Sequence, residues 1–223
     1  MTKPIALVTG ASRGLGREVA RRLVAEGYTV LAGVRNLAKL EPLPGAEVLP
    51  LDVSEPASIT AAAASSRARH GRLDVLVNNA GIMLDRMGDV LALDTDVLDR
   101  TLETNTLGPL RLAQALAPLM TKGGRIVNVS SGGGQLSVPS SWSPAYCISK
   151  TALNAVTVQL AEALKLRGIA VNAVCPGWVR TELGGPEAPR SLQQGADSIL
   201  WLVCEAAPEL TGGFWRDGAR IPW

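Results

Sequence analysis

The fold is decided by Ile5-Ala6-Leu7-Val8-Thr9-Gly10-Ala11-Ser12-Arg13-Gly14-Leu15-Gly16. The first four residues form a short apolar run that predicts a buried strand. Gly10 permits a sharp turn, while Gly14 and Gly16 let backbone or a ligand approach closely. The helix predicted over about 15–26 presents unpaired N–H groups and a positive dipole end to a diphosphate. The stretch therefore predicts a phosphate cradle, with a plain glycine-rich turn as the alternative.

Short apolar runs alternate with helical patterns along the rest of the chain. Further strands are predicted at 29–32, 47–51, 73–77, 125–129, 169–174 and, briefly, 213–215. Helices are predicted at about 54–69, 94–105, 107–119 and 192–204, and another helix carries Lys150 and runs to about 166. Nearly continuous apolar strands joined by helices indicate a parallel sheet covered on both faces. We therefore expect an α/β fold with a single doubly wound parallel sheet (a Rossmann fold), in one domain over residues 1–223.

Composition excludes several classes of protein. A chain of 223 residues with 47% hydrophobic residues and a mean hydropathy of +0.18 can bury a sizeable core. Its net charge is +2 and its basic residues are scattered, so no nucleic-acid partner is expected. Three separated cysteines predict neither a disulfide framework nor a zinc knuckle. The single histidine, His70, argues against a Ser-His-Asp hydrolase and against a multi-histidine metal site, so no metal is expected.

The sequence also bears on localisation. The N-terminus has no signal-peptide pattern, and no apolar run approaches the roughly 20 residues needed to cross a bilayer. We therefore expect a cytoplasmic protein with no membrane partner.

The end of the second predicted strand bears on the choice of dinucleotide. Binding of the ribose hydroxyl in NAD usually needs an acid there, but the chain reads Ala32-Gly33-Val34-Arg35-Asn36. Arg35 can instead form bidentate bonds with a 2′-phosphate. Arg13, in the glycine loop, could reach the same phosphate. The sequence favours NADP(H) over NAD(H), although either arginine could be an ordinary surface residue.

A tyrosine and a lysine stand four residues apart, as Tyr146 and Lys150, in a predicted helix. Such a pair lies on one helix face. A cation about 4 Å from the phenol, at an effective dielectric of about 20, would favour the phenolate by roughly 4 kcal/mol. We therefore expect the pKa of Tyr146 to be lowered toward neutrality, where acid–base catalysis is efficient. The alternative is a half-buried ring beside a solvated lysine.

These motifs together resemble the short-chain dehydrogenase/reductase family over essentially the whole chain. Thr9-Gly10-x-x-x-Gly14-x-Gly16, Asp52-Val53, Asn78-Asn79-Ala80-Gly81 and Pro176-Gly177 match its cofactor segments in order. The resemblance implies NADP(H)-dependent oxidoreduction of a carbonyl or alcohol. The implied cofactor-binding residues are Gly10, Ser12, Arg13, Gly14, Leu15, Gly16, Arg35, Asp52, Val53, Asn79, Ala80, Gly81, Tyr146, Lys150, Pro176, Gly177, Val179 and Thr181.

The same resemblance implies the catalytic residues Asn105, Ser131, Tyr146 and Lys150. Tyr146 matches the proton donor, and Ser131 matches the serine that binds the substrate carbonyl. Asn105 matches the residue that holds a proton-relay water. The chain departs from the pattern because Ser131 lies fifteen residues before the tyrosine rather than the usual thirteen. Ser130 is the alternative, but its side chain should point to the other face of the sheet.

The segment after Cys175 and the closing Ile221-Pro222-Trp223 resemble the carbonyl-reductase branch and equally the bacterial C-signal (C-factor) proteins. The family resemblance implies a homodimer or homotetramer. A signalling or regulatory protein that binds NAD(P), and a 3-oxoacyl carrier-protein reductase, are the competing functions. Apolar residues on segments expected to border the pocket predict an apolar or aromatic small-molecule substrate; they are Leu84, Leu136, Val138, Trp142, Trp178 and Leu183.

Overall fold

The computed structural model describes residues 3–85, 88–140 and 142–223. These residues contain one eight-stranded sheet, in the order β3-β2-β1-β4-β5-β6-β7-β8. The first seven strands are parallel, and β8 is antiparallel to β7. The strands are β1 Ile5–Thr9, β2 Thr29–Val34, β3 Ala46–Pro50, β4 Leu73–Asn78, β5 Met120–Val129, β6 Ala170–Val174, β7 Phe214–Arg216 and β8 Ala219–Arg220.

Helices cover both faces of this sheet. They are α1 Gly14–Ala25, α2 Pro56–His70, α3 Thr95–Leu102, α4 Gly108–Leu116, α5 Pro144–Leu164 and α6 Leu192–Leu200. One apolar core joins the sheet to α2, α4 and α5, and includes Leu76, Leu112 and Ala161. A second core joins it to α1 and α6, and includes Leu23 and Ile199. The predicted doubly wound α/β fold is confirmed, because the strands are buried from both sides.

The two helices predicted near residues 94–119 are present as α3 and α4, and the structure adds what joins them. Helices α3 and α4 are joined by a π-turn, Glu103–Leu107, in which the Gly108 N–H donates to the Glu103 carbonyl. Pro109 explains this turn, because it has no N–H to donate to the carbonyl of Asn105. A one-residue bulge of this kind is frequent at functional sites.

Strand β8 was not predicted, although its signal is present in the sequence. Asp217-Gly218 joins β7 to β8, and both residues have positive φ, of 51° and 75°. Asp-Gly is a strong signal for a two-residue hairpin turn. None of the helices in the described ranges is both long and apolar enough to span a membrane.

Candidate active site

The sheet brings the predicted site residues to one edge. The glycine loop follows β1, Asn79 follows β4, Ser131 follows β5 and Cys175 follows β6. Strands β1, β4, β5 and β6 are parallel neighbours, so their carboxyl ends lie side by side. A ligand site is expected at this edge of an open α/β sheet.

The glycine loop is locked to the end of β4. Thr9 Oγ1 accepts hydrogen bonds from the N–H groups of Asn79 (3.0 Å) and Ala80 (2.9 Å), and Asn79 Nδ2 donates to the Thr9 carbonyl (2.9 Å). Gly10 has a φ of +66°. A Cβ on Gly16 would lie only 2.3 Å from Asn79 Nδ2. Two of the three predicted glycines are therefore required by geometry, and the tight turn leaves the start of α1 open to a phosphate.

The other predicted residues of the loop lie in less constrained places. Ser12 is half-buried in the turn, and Leu15 packs against the core beside α1. Gly14 has a φ of +54°, which favours glycine. The exposed guanidinium of Arg13 forms an ion pair with Glu182 (2.5 Å), across from the segment after β6.

Arg35 stands one residue beyond the end of β2, as predicted. Its side chain is 70% exposed, and its Nε lies 3.9 Å from Asp52 Oδ2. That carboxylate is already engaged, because Asp52 Oδ1 accepts hydrogen bonds from the N–H and hydroxyl of Ser54 (3.0 and 2.6 Å). Val53 is buried and packs beneath Gly108, where a Cβ would lie 2.6 Å from the Val53 carbonyl oxygen. Arg35 is therefore the charged group at the tip of β2.

The structure places Ser131 beside Tyr146. Tyr146 is only 7% exposed, and the Ser131 hydroxyl is near enough to lower the pKa of its phenol. Ser131 Oγ also accepts from the Gly133 N–H (3.1 Å). Ser130 points elsewhere, as expected for its neighbour in an extended chain, and donates to Asn154 Oδ1 (2.6 Å). The choice of Ser131 over Ser130 therefore fits the geometry.

Lys150 lies beneath the tyrosine ring. Its Nζ is 5.6 Å from the centre of the Tyr146 ring and donates to the Val129 carbonyl (2.8 Å). A Cβ on Gly81 would lie 3.5 Å from this Nζ and 3.3 Å from Asn105 Oδ1. Both polar groups thus lie next to Gly81.

Asn105 sits in the π-turn and is fully buried. Its side chain clamps Ile82, accepting from the Ile82 N–H (2.8 Å) and donating to the Ile82 carbonyl (2.8 Å). It also donates to Ser149 Oγ (3.0 Å). Because Pro109 lacks an N–H, the main-chain carbonyl of Asn105 has no donor at the usual helical position. The predicted role of Asn105 in holding a water stays a prediction.

The pKa of Tyr146 differs from the sequence prediction. Burial raises it above its usual value, and the hydrogen bond from Ser131 lowers it by less. Burial also lowers the pKa of Lys150 to about 8. The expected direction for the phenol was wrong in this arrangement, because burial disfavours the charged phenolate by more than Ser131 favours it. Tyr146 is consequently a protonated phenol over the neutral range.

The longer segment between Ser131 and Tyr146 begins with a short 3-10 turn, Gly132–Gly134. This turn packs against α5, and a Cβ on Gly134 would lie 2.8 Å from the Lys150 carbonyl carbon. The Gly134 carbonyl accepts from Asn154 Nδ2 (3.1 Å) and Thr151 Oγ1 (3.2 Å). Three successive glycines therefore let the segment turn tightly against the helix without displacing the serine.

The segment after β6 forms a closed loop. The Pro176 carbonyl accepts from Arg190 Nη1 (3.0 Å), and Gly177 has a φ of +79°. Val179 is buried, whereas Thr181 touches the glycine loop, 3.6 Å from where a Cβ of Gly14 would lie. The predicted residues of this segment thus lie beside the glycine loop, as the resemblance implies.

The predicted apolar pocket residues are mostly exposed at this edge. Trp142 is the best placed, with its ring centre 5.7 Å from that of Tyr146. Trp178 is 56% exposed, with its Nε1 donating to the Gly184 carbonyl (2.7 Å). Leu183 is half-buried. No described contact joins the remaining exposed side chains to Tyr146; these are Leu84, Leu136 and Val138.

Sequence reasoning missed a buried polar chain that supports the site. Asn78 Nδ2 donates to Asn128 Oδ1 (2.8 Å), and Asn128 Nδ2 donates to Thr157 Oγ1 (2.9 Å). This chain links β4, β5 and α5. The sequence carries an asparagine in each of two neighbouring apolar strands. Because a buried polar side chain needs a hydrogen-bond partner, this pattern could have predicted the contact.

Comparison of the whole chain with known proteins gives a consistent result. The family model described as short chain dehydrogenase matches residues 4–191. "Short-chain dehydrogenase anuI" of Penicillium roqueforti is 34% identical, covering 94% of this chain and 92% of that protein. "3-oxoacyl-[acyl-carrier-protein] reductase FabG" of Salmonella typhimurium is 36% identical, covering 80% of this chain and 75% of that protein.

A solved structure agrees with these sequence matches. An NADPH-bound carbonyl reductase from chicken fatty liver superposes with a TM-score of 0.90. It is 28% identical, and the match covers 100% of both chains.

Proposed function

The chain belongs to the short-chain dehydrogenase family, and from that premise we propose that it is an NADPH-dependent carbonyl reductase. It would reduce ketones or aldehydes to alcohols, reversibly. One observation carries the proposal: the neighbouring side chains of Ser131 and Tyr146, with Lys150 beneath the tyrosine ring, lie at the same sheet edge as the glycine loop.

The residues at this edge fit a dinucleotide phosphate. The glycine loop could hold the diphosphate at the start of α1, because Gly16 lets the turn close tightly against Gly10 and Asn79. Arg35 offers a guanidinium group to a 2′-phosphate, Arg13 would have to leave its ion pair with Glu182 to do so, and no acid occupies the end of β2. The chicken carbonyl reductase, which matches over its full length, is described as NADPH-bound. When bound, NADPH supplies the hydride.

The side chains of the protein perform the acid–base part of the reaction. The hydroxyls of Ser131 and Tyr146 donate hydrogen bonds to the carbonyl oxygen and stabilise the charge that develops on it. Tyr146 then gives its proton to that oxygen. Because burial keeps the phenol protonated at neutral pH, the donor is in the correct state before each turnover.

Lys150 and Asn105 complete this proton path. The Lys150 ammonium lies close enough to stabilise the phenolate that Tyr146 becomes during transfer. In this proposal the Asn105 carbonyl, which cannot accept a hydrogen bond from Pro109, holds a water that returns a proton through Lys150. We infer that the active protein is a homodimer or homotetramer in the cytoplasm.

The two competing functions receive less support. The match to FabG is the observation that favours a carrier-protein reductase. Such an enzyme needs free basic groups to bind an acidic partner. Arg190 is paired with Asp217 (2.5 Å), and Arg180 is bonded to the carbonyls of Ala188 and Pro189. A signalling protein without catalysis would have no need of the intact Ser131–Tyr146 pair.

A ketone, aldehyde and alcohol panel with NADPH and NADH tests the proposal. We expect Tyr146→Phe to lower kcat at least about 1,000-fold while the NADPH dissociation constant changes less than about threefold, because only the proton donor is lost. Ser130→Ala serves as the matched control, since its hydroxyl faces Asn154. Turnover by Tyr146→Phe near the wild-type rate, or a wild-type protein inactive on the whole panel, would contradict the proposal.

A further inference from the structure

Arg216 is the last residue of β7 and lies at the carboxyl edge of the sheet. Along β7 it shares a face with Phe214, which packs against Ala173 and Cys175. Val171, two residues before Ala173, packs in the core that includes Ala161 of α5. Arg216 therefore points to the face of the sheet that α5, with its Tyr146, covers.

The guanidinium of Arg216 is poorly neutralised. Its Nη2 donates to Cys175 Sγ (3.1 Å), which is a weak acceptor. Its Nε is buried and has no hydrogen-bond acceptor among the described residues. Within residues 3–85, 88–140 and 142–223, no carboxylate lies within 4.0 Å of this group. A half-buried cation without an anion is costly unless a ligand supplies one.

The nearest acid in the sequence, Asp217, is already engaged. Its Oδ1 accepts from Arg190 Nη2 (2.5 Å) and from Ser198 Oγ (2.6 Å). Both Arg190 and, more weakly, Arg216 hold the pKa of Asp217 below its usual value. Two cations therefore share one carboxylate, which leaves a positive charge at the end of β7.

This charge lies next to the reacting groups. Arg216 Nη2 is 3.0 Å from where a Cβ of Gly132 would be, and Gly132 directly follows Ser131. A side chain at position 132 would therefore crowd the guanidinium. The same segment continues to the exposed apolar side chains of Leu136 and Val138. The Arg216 guanidinium thus lies at the start of the turn Gly132–Gly134, and the apolar side chains of Leu136 and Val138 follow that turn.

We propose that Arg216 binds a carboxylate of the substrate, so that the preferred substrates are oxo acids with an apolar body. This inference rests on the proposed carbonyl-reductase function and narrows it to a substrate class. The planar guanidinium matches a carboxylate through two parallel hydrogen bonds. Its two terminal nitrogens would supply the donors for such a pair, because Nε is buried.

The test compares acids with their own methyl esters. Aryl methyl ketones carrying a carboxyl, carboxymethyl or carboxyethyl group would be assayed beside the corresponding esters, using the full chain and NADPH. We expect at least one acid to exceed its ester in kcat/KM by about 10- to 100-fold, the value of a charge-assisted bond. Benzoate should inhibit reduction of the esters competitively.

Two variants locate the effect. In Arg216→Gln the acid-to-ester ratio should fall to about one, and the ratio cancels any general loss of activity. Arg220→Gln, at an exposed position in β8, should keep the wild-type ratio. Thermal unfolding would establish that both variants fold.

Three outcomes would overturn the inference. The first is reduction of the esters by wild-type protein without preference for any acid. The second is a preference that survives in Arg216→Gln, and the third is a lack of inhibition by benzoate. The first and third outcomes are measured on wild-type protein, so they decide the inference even if Arg216→Gln does not fold. Wild-type protein that reduces neither acids nor esters would instead defeat the proposed function, and this inference with it.

Discussion

The pKa values of Tyr146 and Lys150 shift in opposite directions, because burial disfavours the charged form of each group. The phenol is held protonated and its pKa is raised, whereas the pKa of the ammonium falls to about 8. The tyrosine is therefore ready to donate a proton at any neutral or mildly alkaline pH. Lys150 is the group of this pair whose charge changes near working pH.

Carbonyl reduction should consequently lose rate on the alkaline side through Lys150. With NADPH saturating, kcat/KM should be level below about pH 7 and fall about tenfold for each unit well above pH 8, because the neutral amine no longer stabilises the forming phenolate. Initial rates between pH 6 and 10 measure this limb. Lys150→Met should have a low kcat/KM that does not fall further at alkaline pH. A wild-type kcat/KM that stays level to pH 10 would refute the role of Lys150.

The same burial gives a second readout, in stability. The pKa of Lys150 is about 8 in the folded chain and 10.5 when exposed, so the unfolded chain binds more protons between these values. The free energy of unfolding should therefore rise with pH across this window, by about 3 kcal/mol from this group. Lys150→Met should remove that rise.

Helix α5 holds both residues, yet its own sequence does not cap it. Ser143 is at the N-cap position but its side chain makes no capping bond. Asp85, sixty residues earlier, accepts from the Ala145 N–H instead, through Oδ2 at 2.5 Å. A carboxylate at a helix N-terminus satisfies a free donor and complements the dipole. Asp85 thus fixes the start of the helix immediately before Tyr146.

Asp85→Ala should therefore affect catalysis as well as stability. We expect about 1 kcal/mol of destabilisation and a fall in kcat of about tenfold, because the first turn of α5 loses its anchor. Asp94→Ala is the matched control, since Asp94 caps α3 through the Asp96 N–H (2.9 Å). It should cost similar stability with an unchanged kcat.

Asp85→Asn, which keeps an acceptor oxygen, should recover most of the rate. Measurements of kcat, KM and thermal unfolding on the three variants decide the matter. Equal loss of kcat in Asp85→Ala and Asp94→Ala would leave Asp85 with no positioning role.

What the sequence predicted follows from how local each signal is. The apolar strands and the glycine loop are determined by residues that are neighbours in sequence. Their hydrophobic pattern and their glycine positions can therefore be recognised in the sequence, and the fold was predicted correctly. The π-turn was missed because a helix bulge depends on one absent N–H, at Pro109. The Asp85 cap and the setting of Arg216 depend on residues far apart in sequence. The lowered phenol pKa was wrong because burial depth is not visible in a Tyr-x-x-x-Lys spacing.

At the scale of the whole molecule, the last residues tie the far edge of the sheet to the loop after Ser131. Trp223 stacks on Phe214 of β7, with ring centres 5.4 Å apart. Its carbonyl accepts from the Ser137 N–H (3.0 Å), and the Pro222 carbonyl accepts from Gln135 Nε2 (2.8 Å). Residues 221–223 therefore hold the segment that carries the predicted apolar rim.

Trp223→Ala should loosen this segment while leaving the cofactor side of the edge intact. We expect KM for carbonyl substrates to rise about tenfold with little change in NADPH affinity, because the glycine loop makes no contact with this tail. Trp201→Ala is the matched control: Trp201 pairs with Trp215 (5.3 Å), and Trp201 and Trp215 pack against the core on the opposite face of the sheet. It should cost comparable stability, about 1–3 kcal/mol, without the rise in KM.

Hydrogen exchange separates the two variants physically. The Ser137 amide is protected by its bond to Trp223, so its exchange should quicken in Trp223→Ala and stay slow in Trp201→Ala. A rise in KM in both variants would show a general effect of lost stability. A rise in KM confined to Trp223→Ala, together with faster exchange near Ser137, would show that packing of Trp223 at the distant sheet edge determines how well the substrate binds.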